Sequence, residues 1–91
     1  MDDPPAVVIV VVAYQNADVI ADLLESIPSA VRGLRAHVVV VDNGSTDGTA
    51  DLVAARADVQ LVRSSSRGFS EGINLGVASA PRSPTVLVLN A

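Results

Sequence analysis

The 91-residue chain has no cysteine, no lysine and no tryptophan, and its only aromatic residues are Tyr14 and Phe69. Each absence excludes something. Without cysteine there is no disulfide framework, no thiolate metal site and no nucleophilic thiol. Without lysine there can be no Gly-Lys-Ser/Thr phosphate loop. All six basic residues are arginine, and ten acidic residues outnumber them. The resulting net charge of -4 gives no footprint for nucleic acid or for an anionic membrane surface. Long apolar runs are missing too. The first, Ala6 to Ala13, is far shorter than the roughly 20 residues a membrane helix needs. Asp2 and Asp3 stand where a secretory signal would carry basic residues, so a cytoplasmic protein is the expectation.

What is present is valine and alanine. Apolar residues make up 49% of the chain, too many for a disordered tail and enough for one small core. The run "AVVIVVVA" at Ala6 to Ala13 follows Pro4-Pro5 and reads as a central strand. Asn16 is placed to cap a helix carrying Val19, Ile20, Leu23, Leu24 and Ile27 on one face, with Pro28 ending it. His37 to Val41 is a second strand, with a helix from around Ser45 to Asp47 reaching about Ala57. Val59 to Val62 is a third, shorter strand. Ser70 is placed to cap a third helix running through Ala80, and Thr85 to Leu89 is a fourth strand.

The order βαβαβαβ, with long crossovers, argues a Rossmann-like α/β fold: an open parallel sheet with helices on both faces. In such sheets a ligand lies outside the carboxyl ends of the strands. Four polar clusters fall there: Tyr14-Gln15-Asn16, Asp42 to Asp47, Ser64 to Ser70, and Asn90. The most telling is the second, within "HVVVVDNGSTDGT". A buried strand stops at a carboxylate and opens into a loop of small polar groups.

Position alone leaves two roles open for Asp42. It can accept hydrogen bonds from a base or a ribose, or cap its turn by accepting from the amides of Gly44 and Ser45. Tyr14 either stacks on a base or is a core-edge tyrosine with a wet hydroxyl. Arg67 can reach a diphosphate bidentately or simply stay solvated in its serine-rich loop. Asn43-Gly44 reads as a turn that tolerates positive φ, and Asp47 as a helix-start residue suited to the helix dipole. Gly68, Gly72 and Gly76, four apart, suggest close approach of the third helix to the sheet. Asn74 is a polar helix face or a rim ligand, and His37 a strand-end residue.

Several chemistries fail on specific residues. A dinucleotide-binding G-x-G-x-x-G would follow the first strand, where "AYQNAD" stands. An aspartyl-phosphate phosphatase would want an aspartate where Ser45 is. No serine sits in a G-x-S-x-G elbow.

Four pieces taken together carry a resemblance: "VVIVVVAYQN", "VVVVDNGSTDGTADLV", "GFSEGINLGVASA" and "VLVLNA". In this order and roughly this spacing they resemble the N-terminal, nucleotide-sugar-binding part of family-2 glycosyltransferases, of the inverting GT-A type. The resemblance implies strand order 3-2-1-4 and a nucleoside-diphosphate sugar as ligand. It makes Asp42 the base-reading carboxylate and Tyr14 an aromatic packed on the base. It brings the Gly68-Phe69 segment to the nucleotide and places Asn90 at the start of a D-x-D or N-x-D motif. The last aspartate of that motif would hold Mg²⁺ or Mn²⁺. Here Asn90 is followed by Ala91 alone, so the expectation is a chain truncated at the motif. It would carry nucleotide-sugar-binding residues (Tyr14, Asp42, Arg67, Gly68, Asn90) but neither catalytic residues nor metal ligands.

The parent would then resemble rhamnosyltransferases of cell-surface glycan synthesis. Its acceptor would be a glycan or a lipid-linked group, its place the cytoplasm or the inner face of the membrane, and the fragment's exposed fourth strand would favour self-association. Gln15 and Glu71 depart from the family pattern, which usually has an asparagine at the first place and a small residue at the second. Glu71 would need to point away from a diphosphate. The alternative is a complete small nucleotide-binding or regulatory module.

Overall fold

The computed structural model describes residues 4–65 and 68–91. The elements alternate: β1 (Val7–Ala13), α1 (Ile20–Val31), β2 (Ala36–Asp42), α2 (Thr49–Ala54), β3 (Gln60–Arg63), α3 (Phe69–Ser79) and β4 (Val86–Asn90). All strand pairs are parallel, in the order β3-β2-β1-β4. This is the α/β architecture and the strand order expected from the sequence.

The β-branched runs form the two central strands because they are covered on both faces. Alternate side chains divide between two clusters. Ile9, Val11, Ala13, Val38 and Val40 pack with Ile20, Leu24 and Ile27 of α1 and Val53 of α2. Val8, Val10, Val12, Val39 and Val41 pack on the other face, where Ile73 of α3 lies against them. A lone histidine finds a use at the strand end: His37 meets the Gln60 side chain at 2.7 Å, and Gln60 donates to the Ser79 carbonyl at 3.1 Å. That pair ties β2, β3 and the end of α3 together. Among the described residues no helix is long and apolar enough to cross a membrane.

Three local expectations are corrected. Pro28 does not end α1; the helix runs through it to Val31 and closes on Arg32 in the left-handed region (φ 50°). The ring removes one backbone bond, but Leu24 and Ile27 are buried on the sheet and hold the turn, while Pro28 itself faces outward. Asn16 does not cap α1 with its side chain. Its backbone carbonyl accepts from Val19 and Ile20, and its Oδ1 turns back to the Tyr14 amide at 2.7 Å. Ser70 lies inside α3 rather than at its cap, which is Gly68. The helix starts earlier because Glu71 folds back over Gly68, where the helix dipole favours a carboxylate.

Of the three spaced glycines, two permit close packing and one does not. A Cβ at Gly76 would lie 2.6 Å from Val10 Cγ1 and 3.0 Å from Val41 Cγ2. One at Gly72 would lie 3.3 Å from Val12 and 3.4 Å from Asn43 Nδ2. At Gly68 the neighbour is only the end of the Glu71 side chain, 3.0 Å away.

Candidate nucleotide-facing rim

The carboxyl ends of β1, β2 and β4 reach one edge in register. Ala13 pairs with Asp42, and Val12 with Asn90. Tyr14 leaves β1 at this edge and is 45% exposed. Three of the expected site residues, Tyr14, Asp42 and Asn90, therefore share a rim. They do not share a face. Successive side chains alternate across a strand, so Asn90 projects with Val12 towards the α3 side and Asp42 with Ala13 towards the α1 and α2 side. Gly68 stands at the head of α3, and Arg67 lies outside the described residues.

Asp42 is 3% exposed, and its carboxylate is engaged. Its Oδ2 accepts the Ser45 amide at 3.0 Å and its Oδ1 accepts the Ser45 hydroxyl at 2.6 Å. The backbone carbonyl of Asp42 accepts the Ser64 amide at 2.8 Å, which fixes the end of β2 to the strand beyond. Each carboxylate oxygen keeps lone-pair capacity for a second donor. Asn43 is also buried, under Gly72 of α3, and its Oδ1 has no partner among the described residues. Gly44 follows at φ 85°, the turn that the Asn-Gly pair suggests.

The hydroxyl-rich loop after Asp42 is not loose. It is stitched to the loop after β1. The Gln15 amide donates to Ser45 Oγ at 2.8 Å, and the Asn16 amide to Thr49 Oγ1 at 2.9 Å. The Gln15 side chain closes on Thr46 in both directions: Oε1 accepts the Thr46 amide at 2.6 Å, and Nε2 donates to Thr46 Oγ1 at 3.1 Å. Gln15, the departure from the family pattern, thus spends its side-chain amide on a loop partner. Asp47 does not begin the helix expected from around Ser45 to Asp47, because α2 starts at Thr49 behind its Gly48 cap. Asp47 accepts from the Thr49 hydroxyl, from the Thr49 amide and, across the gap, from the Ala17 amide, the amide bonds both at 3.0 Å. The Thr49 hydroxyl foremost, then the Ala17 amide, hold its carboxyl below its ordinary pKa. The Ser45 amide was expected at Asp42, but the hydroxyls of Ser45, Thr46 and Thr49 are groups that sequence reading did not single out. The available signal was their grouping just beyond the buried strand.

A hard divalent cation takes oxygen ligands, carboxylates foremost. Asn90 and Asp42 point to opposite faces, and no group of three His, Cys, Asp or Glu side chains converges among the described residues. The donors present therefore do not make a metal site.

Residues 8–91 match the profile of Glycosyl transferase family 2. Glycosyltransferase AglJ of Haloferax volcanii is 36% identical over 90 residues, covering 99% of this chain and 28% of that protein. The succinoglycan biosynthesis protein ExoO of Rhizobium meliloti is 41% identical over 83 residues, covering 88% of this chain and 24% of its own length. The chain thus spans about a quarter of the length of these relatives. Among solved structures, S. aureus TarS superposes with a TM-score of 0.75 at 25% identity, over 92% of this chain and 26% of TarS. The mannosyltransferase PcManGT from Pyrobaculum calidifontis, in complex with GDP-Man and Mn²⁺, gives 0.70 at 30% identity, over 86% of this chain and 25% of that one.

Proposed function

Because the chain belongs to glycosyl transferase family 2, matched from residue 8 to residue 91, we propose that it recognises the nucleoside-diphosphate part of a sugar donor for inverting glycosyl transfer. In this reading Tyr14 stacks on the base and Asp42 accepts from base or ribose through its remaining lone pairs. Arg67 meets the diphosphate, Gly68 leaves room for it at the head of α3, and Asn90 borders the sugar. The observation that carries the reading is the convergence of an exposed aromatic ring and a buried, oriented carboxylate on one rim, in adjacent paired strands. The GDP-Man bound to PcManGT supports a nucleotide sugar as donor. The name of ExoO, a succinoglycan biosynthesis protein, supports a glycan acceptor; a lipid-linked acceptor, met in the cytoplasm or at the inner face of a membrane, belongs to the same proposal.

Transfer needs the diphosphate's charge neutralised and the acceptor hydroxyl deprotonated. A divalent cation of the kind seen in PcManGT supplies the first when bound, but no set of donors among the described residues holds it. For the second, Asp42 is bound by Ser45 and Asp47 by Thr49 and Ala17. The residues of this chain therefore bind and orient, and turnover by the chain alone is not expected.

The test is calorimetric titration with UDP, GDP and dTDP in the presence of Mg²⁺ or Mn²⁺. Asp42→Ala is expected to weaken binding of the preferred nucleotide by about 1–3 kcal/mol, the loss usual for a charge-assisted hydrogen bond. Unchanged affinity with a lowered melting temperature would make Asp42 a turn cap alone and defeat the reading.

A further inference from the structure

We propose that Ser45 is a positioning residue that couples the Asp42 carboxylate to Tyr14 through the backbone of Gln15. Its hydroxyl stands between two strands' loops and is used twice. It donates to Asp42 Oδ1 at 2.6 Å and accepts the Gln15 amide at 2.8 Å. An ionised carboxylate can only accept. Asp42 therefore fixes where the Ser45 proton points, and so turns an oxygen lone pair towards Gln15. The Ser45 amide, donating to Asp42 Oδ2 at 3.0 Å, holds the serine in that attitude.

Gln15 needs such an anchor. It sits at φ 54°, a left-handed conformation that a long side chain seldom adopts unaided. The Ser45 bond to its amide and the two-way clamp of its side chain on Thr46 both come from the β2–α2 loop. Nothing within the β1–α1 loop supplies an equivalent bond to that amide among the described residues. The conformation at Gln15 in turn sets the direction in which the chain leaves Tyr14, whose own amide is tied forward to Asn16 Oδ1 at 2.7 Å. The aromatic on one strand end is thereby placed by the carboxylate on the next. The effect on ligand affinity rests on the nucleotide-binding reading above; the placement of Tyr14 does not.

The sequence makes the test clean, because Tyr14 is the only tyrosine and there is no tryptophan. Intrinsic fluorescence therefore reports this ring alone. In the ligand-free 91-residue chain, Ser45→Ala is expected to lower Tyr14 anisotropy and to raise its quenching by acrylamide, with helix content by circular dichroism unchanged. Ser45→Thr, which keeps the hydroxyl, is expected to restore both. With UDP, GDP or dTDP as probe, whichever binds the wild type, Ser45→Ala is expected to weaken binding about tenfold, in keeping with the loss of a half-buried hydrogen bond to a carboxylate. Tyr14 anisotropy and quenching that are unchanged in Ser45→Ala would overturn the proposal, whatever happens to affinity. Should Ser45→Ala fail to fold, Asp42→Ala removes both acceptor oxygens that orient the hydroxyl. An immobile Tyr14 in that variant would overturn the proposal equally. A wild type that binds none of the three nucleotides would defeat the proposed function and leave the fluorescence readout to decide this inference separately.

Discussion

Asp47 illustrates how one side chain can serve two loops at once. Its carboxylate accepts from Thr49 on its own loop and from Ala17 on the neighbouring one. These donors favour the charged form, and the pKa is lowered accordingly. The sign of the consequence follows. A group whose folded pKa is depressed stabilises the fold above its unfolded pKa, near about 3.9, and that contribution is lost as pH falls through the folded value. The difference in melting temperature between wild type and Asp47→Ala should therefore be constant from neutral pH down to about pH 5 and close below about pH 4. A gap that persists undiminished under more acidic conditions would show that the carboxylate's charge is not what matters. Only a place for Asp47 near the start of a helix was readable in advance; α2 itself begins at Thr49, behind a Gly48 cap. The reach to Ala17 was not readable, because residues thirty apart in sequence meet only once β1 and β2 pair.

At the scale of elements, α3 is the instructive case. Its face towards the sheet is nearly bare: Gly72 and Gly76 are the buried positions, and the valines of β1 and β2 rise into the space they leave. Alanine at an exposed helix position would be favoured over glycine by about 1 kcal/mol. At Gly76 the added methyl would meet Val10 at 2.6 Å, and Val10 is fully buried in a central strand with no room to withdraw. Overpacking of this kind typically costs about 1–3 kcal/mol, so Gly76→Ala is expected to be destabilising by up to about 2 kcal/mol in urea unfolding, net of propensity. A stabilised variant would mean that α3 can lift off the sheet. The same near approach brings the head of α3 down to the rim, beside Asn43.

At the scale of the whole molecule, the sheet has two open edges of different character. β3 is four residues long and presents Gln60 and Arg63, features that discourage edge pairing. β4 is apolar, and Val86 and Leu87 are 43% and 47% exposed on its opposite faces. On the α1 side Leu87 borders an open groove of about 510 Å³ that Val7, Val31 and Leu34 also line. An apolar strand with a free edge and, among the described residues, no helix packed over it is a template for association. The 91-residue polypeptide is therefore expected to self-associate with rising concentration in light scattering, and Leu87→Glu to reduce this. A monodisperse monomer at high concentration would count against it.

The sequence by itself determined the elements, their order and the rim on which they end. Runs such as "VVIVVVA" and "HVVVV" can bury only as central strands, and crossover handedness leaves few ways to arrange them. It also carried the family, through motifs at the ends of those strands. Local boundaries were less legible, because propensity is a weak prior against packing. Pro28 stays helical since Leu24 and Ile27 are already held on the sheet. What tertiary structure alone decided is which side chains at the rim act together. Asp42 and Asn90 end the strands that flank β1 on either side yet face opposite ways, a matter of register. Gln15, Ser45, Thr46 and Asp47 become one hydrogen-bonded unit only when two parallel strands bring their following loops side by side. Hydrogen bonds reach about 3 Å, and no local pattern in the chain encodes a partner thirty residues away.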